Sequence, residues 1–115
     1  MPRVTGIGGV FFRARDPDAL GAWYAEHLGV TSDPLWYQEA GPTVWAAFGD
    51  DTDYFGRAEQ AWMINFRVDD LDAMVGRLRA AGIEVEPGPQ EESAGRFART
   101  HDPEGNPIEL WEPSS

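Results

Sequence analysis

Glu109 is the residue in this chain whose type and setting point most directly to chemistry. It sits in Pro107-Ile108-Glu109-Leu110-Trp111, behind the segment Asp102-Pro103-Glu104-Gly105-Asn106. Asp-Pro opens a turn, Gly-Asn can supply the positive φ that closes it, and the five residues behind it read as a strand. Ile108 and Leu110 then share one face, and Pro107, Glu109 and Trp111 the other. A carboxylate between Leu and Trp on a buried strand is costly unless something pairs with it. The partner could be a metal ion, a substrate proton, an Arg or a backbone donor. The plain structural alternative is a Glu at a sheet end, solvated or paired with Arg.

Other reactive groups are few. There is no cysteine, hence no thiolate nucleophile, no disulfide and no zinc–thiolate site. No Ser-His-Asp or Cys-His set is present, and Gly8-Gly9 falls inside a strand pattern rather than a phosphate-binding loop. His27 takes the i+7 place on a helix stripe and suits a packing role, while His101 precedes the turn and faces solvent or caps it. The segment from Gly49 to Gly56 is acidic but lacks EF-hand spacing and a closing Glu, so it reads as a solvated connection. Five tryptophans in a small domain fit either core filling or an aromatic-lined cavity.

The 115 residues suffice for one domain with a real core. A net charge of −11, from 20 acidic and 9 basic residues, argues against nucleic acid and anionic membrane as partners. It leaves a small ligand open, because a pocket can be locally basic. With no apolar leader and no run long enough to cross a bilayer, the expected location is the cytoplasm.

The elements that must position these groups come as a repeat. Residues 7–15 read as a strand. Asp16-Pro17 starts a helix with Asp as N-cap, its stripe is Leu20, Trp23, Tyr24 and Leu28, and Gly29 stops it. Residues 62–68 read as a second such strand. Asp70 caps a helix with Leu71, Met74, Val75 and Leu78 on one stripe, and Gly82 stops it. Phe12-Arg13 matches Phe66-Arg67, and Asp16 matches Asp70, at one offset of 54 positions. Further strands are expected near 30–33, 36–39 and 43–48, and again near 83–86, 96–101 and 107–112. Each half thus reads β-α-β-β-β, with modules over 4–58 and 59–115 forming one structural domain. Neither half can bury a core alone, so the two pack on each other within the chain or across a dimer.

This duplicated module, with its ending Asp-Pro-x-Gly-Asn-x-Ile-Glu-Leu, resembles the vicinal oxygen chelate superfamily. That group holds glyoxalase I, extradiol dioxygenases, fosfomycin-resistance enzymes and bleomycin-binding proteins. The resemblance implies an α+β fold: two βαβββ modules related by a pseudo-two-fold axis, their mixed sheet curled into a cup, and a homodimer. It also implies metal ligands on the first strand of each module, seven residues before the helix-capping Asp, and on the last strand. Those places hold Gly9, Met63 and Glu109, with Trp45 near the fourth. Glycine offers no ligand, a thioether suits hard divalent cations poorly, and catalytic zinc or iron wants about three protein ligands. No metal or other cofactor is therefore expected.

Strand alternation places Gly9, Phe11 and Arg13, then Met63, Asn65 and Arg67, then Glu109 and Trp111 on the cup face. Arg13 and Arg67 are symmetry mates that either bridge carboxylates or clamp an anionic ligand. Two functions follow. In one, the protein is a metal-free binder of a small aromatic or cationic molecule, with Trp36, Tyr37, Trp45, Tyr54, Phe55 and Trp62 lining the cavity. On that reading Trp45→Ala weakens binding more than Glu109→Gln. In the other, it is a glyoxalase- or dioxygenase-related enzyme with Glu109 as general base or residual metal ligand.

Overall fold

A computed structural model describes residues 2–33, 35–91 and 93–114. Two helices and four strands form in the order α1 (Pro17–Leu28), β1 (Ile64–Arg67), α2 (Leu71–Ala80), β2 (Glu86–Glu91), β3 (Gly95–His101) and β4 (Pro107–Pro113). The strands make one open mixed sheet in the order β1-β4-β3-β2. β1 runs parallel to β4, while β3 is antiparallel to both β4 and β2. Residues 64–113 therefore take the β-α-β-β-β order expected of the second half.

Both helices begin and end on local chemistry. Asp16 Oδ1 accepts from the Ala19 amide at 3.1 Å, and Asp70 Oδ1 from the Ala73 amide at 3.0 Å. Each satisfies one of the amide donors that a first turn leaves without a partner. Gly29, at φ 70°, ends α1 in a left-handed conformation that suits glycine. The helices bury Leu20, Tyr24, Leu71 and Leu78 in one cluster with Ala98, Ile108 and Leu110 of the sheet. Ala98 and Leu110 are directly paired across β3 and β4, which aligns the face covered by this cluster.

The turn between β3 and β4 is tied to α1. Asp102 is 4 % exposed, and its carboxylate accepts from the amides of Glu104 (2.8 Å) and Asn106 (3.0 Å), from Asn106 Nδ2 (2.7 Å) and from the Tyr24 hydroxyl (2.7 Å). Burial, then the bond to Asp102 and its charge, raise the Tyr24 pKa and keep it a donor. Glu104 accepts from the amides of Arg15 (2.7 Å) and Asp16 (3.0 Å), holding the start of α1.

Two expectations need correction. No strand forms among the described residues 2–63, so the strands expected near 7–15, 30–33, 36–39 and 43–48 are not made in the single chain. These stretches carry strand-forming residues but have no ladder alongside; Phe12 and Trp36 reach Tyr24 and Phe66, while Phe11 is 94 % exposed and Trp45 89 %. A strand persists only when its amides and carbonyls find partners. The described residues thus show one βαβββ unit and do not confirm the second. In the second half, the strand expected near 83–86 starts at Glu86. The carbonyls just before it are taken by side chains: Thr100 Oγ1 donates to Glu84 at 2.7 Å and Arg79 Nη2 to Val85 at 2.7 Å.

Candidate functional site

The face of the sheet that carries Glu109 is built by register. Across β1 and β4, Asn65 pairs with Glu109 and Arg67 with Trp111. Across β3 and β4, Arg99 pairs with Glu109 and Phe97 with Trp111. Directly paired residues point to the same side of a sheet. This side therefore presents Asn65, Glu109 and Arg99 in one row and Arg67, Trp111 and Phe97 in the next.

Glu109 is 8 % exposed, and both carboxylate oxygens are engaged. Asn65 Nδ2 donates to Oε1 at 2.8 Å, and the Tyr54 hydroxyl donates to Oε2. Tyr54 arrives from the irregular segment 49–60, where Thr52 N bonds Gly49 O at 3.1 Å and Gly56 N bonds Asp53 O at 3.0 Å. Arg99 Nη2 donates to the Tyr54 carbonyl, and its guanidinium carbon lies 4.4 Å from the centre of the Tyr54 ring. Burial, the bond to Glu109 and the carboxylate charge push the Tyr54 pKa up to about 12, with Arg99 pulling the other way. Tyr54 thus stays protonated at neutral pH and serves Glu109 as a donor. Phe48 stacks on Tyr54 at 5.9 Å and meets Phe55 at 5.0 Å, so an aromatic group flanks the carboxylate.

Of the other expected site residues, Trp111 and Arg67 share this face, and the rest lie elsewhere. Trp111 is buried, stacked on Phe97 at 6.1 Å, with its indole N–H donating to the Ala94 carbonyl at 2.8 Å. Arg67 donates to the Glu39 carbonyl at 3.0 Å. Its guanidinium fills the space a side chain at Gly41 would need. Arg13 lines a separate cleft of about 270 Å³ with Arg15, Glu104 and Asn106. The two arginines therefore do not meet, and Glu109 receives neither. Met63 is half-buried ahead of β1, and Phe11 and Trp45 stand in solvent. His27 packs on Trp23 at 5.4 Å, and His101 is exposed at the end of β3. A second cleft, of about 390 Å³, lies between α2 and the β2–β3 edge, away from Glu109.

Arg99 and Phe48 were not singled out by sequence. Arg99 could have been: counting back from the turn, His101 faces Pro107, Thr100 faces Ile108, and Arg99 faces Glu109. Phe48 carries no such signal, because it meets Tyr54 through irregular backbone.

The metal that the resemblance implies does not suit these side chains. Glu109 accepts from two donors, Asn65 and Tyr54, whose hydrogens point at its oxygens. Gly9 and Met63 fill the other ligand places, and among the described residues no three His, Cys, Asp or Glu side chains converge. Catalytic zinc takes about three protein ligands.

The profile of the glyoxalase-like domain matches residues 9–111. No curated protein matches the chain by sequence. Among solved structures, the chain is similar to TnmS3, an antibiotic binding protein from Streptomyces sp. CB03234. The two share 29 % identity over 86 % of this chain and 88 % of that one, with a TM-score of 0.54. A glyoxalase/bleomycin resistance protein from the same organism is 37 % identical over 46 % of each chain, with a TM-score of 0.40. A glyoxalase family protein from Bacillus cereus is 21 % identical over 84 % of this chain and 73 % of that one, with a TM-score of 0.42. No helix among the described residues is long and apolar enough to cross a membrane.

Proposed function

The chain belongs to the glyoxalase-like domain family of the vicinal oxygen chelate superfamily, and from that premise we propose that it is a small-molecule binding protein that works without a metal ion. The ligand, aromatic or cationic, rests on the sheet face around Glu109. The carrying observation is the state of Glu109: buried, with uncharged donors on both oxygens and an aromatic group beside it. Such a place combines an oriented acceptor with the Tyr54 and Phe48 rings, the mix of placed polar groups and aromatic surface that ligand sites use. Similarity to an antibiotic binding protein over most of both chains supports the same reading. Elemental mass spectrometry of protein purified without chelators tests the metal-free part. The expected result is no stoichiometric zinc, nickel, iron or manganese. One ion per chain, removed by Glu109→Gln, would overturn it.

The site belongs, in this proposal, to a homodimer. Every exposed large hydrophobic among the described residues falls between Val4 and Phe48. Tyr37 is 84 % exposed, and Phe11 and Trp45 more so. Apolar surface on this scale marks an interaction surface, and the same stretches carry backbone groups outside any ladder. A second copy supplies complementary strands and completes the cup with the first-half segments. Light scattering at micromolar concentration should give twice the chain mass of 12.7 kDa. A single-chain mass at that concentration would count against the dimer.

A further inference from the structure

We propose that the Glu109 site takes a hydroxyaryl ligand, which enters by displacing the Tyr54 side chain. The ligand's hydroxyl then donates to Glu109 and its ring lies against Arg99. This rests on the reading of the Glu109 face as a small-molecule site. It narrows the ligand from aromatic or cationic to one chemical class.

The observation is that the site already holds a phenol, supplied by the chain itself. The Tyr54 hydroxyl sits on Glu109 Oε2, and its ring lies 4.4 Å from the Arg99 guanidinium carbon. Asn65 occupies the other carboxylate oxygen at 2.8 Å, which fixes the carboxylate and leaves Oε2 to accept from one incoming donor. An aromatic face against a guanidinium is favourable, since the ring presents negative potential to the cation. An aryl ammonium would also donate to Glu109, but it would bring a second positive charge beside Arg99. An aryl ring without a donor would leave Glu109 Oε2 buried and unpaired. A hydroxyaryl group meets both demands, as Tyr54 does.

Exchange is structurally simple. Arg99 grips the Tyr54 carbonyl, not its hydroxyl, so the segment stays anchored to β3 when the side chain swings out. The turns at Thr52 and Gly56 close on main-chain bonds of their own and do not depend on the phenol.

Three probes of matched size separate the alternatives: 4-nitrophenol, 4-nitroanisole and 4-nitrobenzylammonium. Each is measured by equilibrium dialysis through its own absorbance, below the pKa of the phenol, against the wild-type protein and Tyr54→Ala. Removing the resident phenol should tighten 4-nitrophenol binding about tenfold, and Tyr54→Ala should prefer it over 4-nitroanisole by about tenfold, the worth of one hydrogen bond to a charged acceptor. Adding Glu109→Gln to Tyr54→Ala should erase that preference, which a nonspecific hole would not do. If Tyr54→Ala fails to fold, Tyr54→Phe removes the competing hydroxyl alone and should still tighten 4-nitrophenol over wild type. No tightening in Tyr54→Phe would overturn the proposal. Equal or tighter binding of the anisole or the ammonium to Tyr54→Ala would overturn the hydroxyaryl assignment and leave the binder reading standing. Binding of none of the three to either protein would overturn both.

Discussion

Asp102→Ala should be among the most destabilising single substitutions in this chain, lowering stability by about 3 kcal/mol. For a domain of this size that is a fall in Tm of about 10 °C or more. Asp102 is 4 % exposed and takes four hydrogen bonds, from Tyr24, the Glu104 amide and both nitrogens of Asn106. Removing the carboxylate leaves the buried Tyr24 hydroxyl and two turn amides without acceptors, and the cost of such orphans exceeds the net worth of the bonds themselves. The damage spreads because the same turn holds Glu104 on the first amides of α1. Tyr24→Phe removes one donor and leaves the turn closed, so its loss should be about 1 kcal/mol. Thermal or urea unfolding of the two variants checks the order. An Asp102→Ala protein within about 0.5 kcal/mol of wild type, the range of an ordinary surface change, would contradict this role for the turn.

Glu109→Gln should weaken the tightest-binding aromatic ligand by about tenfold or more while leaving the fold intact. The amide still accepts from a neighbour but lacks the charge that strengthens a hydrogen bond, a difference of about 1.5 kcal/mol or more. The core lies on the opposite side of β4, where Ile108 and Leu110 are fully buried, so stability is largely spared. The sequence alone ranks Trp45→Ala above Glu109→Gln. We expect the opposite order, because Glu109 lies at the centre of the hydrogen-bonded group. Calorimetric titration of both variants decides it. Equal affinity of wild type and Glu109→Gln would remove Glu109 from the binding site.

What could be read in the sequence was local. Both helices start and stop where their Asp caps and glycines place them, because capping needs only residues within a turn of each other. The β3–β4 turn closes on Asp102 with Gly105 at positive φ for the same reason. The period-two pattern of β1 and β4 puts Asn65, Arg67, Glu109 and Trp111 on one face, as alternation requires.

What could not be read was long-range or intermolecular. Tyr54 reaches Glu109 from 55 residues away on irregular backbone, which no periodicity marks. Arg13 and Arg67 match in the repeat yet lie apart, since Arg13 sits in an extended stretch that has no ladder to orient it. That stretch and the one near Trp45 have strand composition, but alternation cannot say which strand, in which chain, will pair with them.

The most direct test of metal-free ligand binding at Glu109 is a crystal structure of the protein soaked with its tightest-binding aromatic ligand. The expected result is the ligand on the face shared by Asn65, Glu109 and Arg99, a donor atom within hydrogen-bond reach of the Glu109 carboxylate and the Tyr54 side chain turned away. A metal ion on Glu109, or the ligand seated instead in the cleft between α2 and the β2–β3 edge, would contradict it.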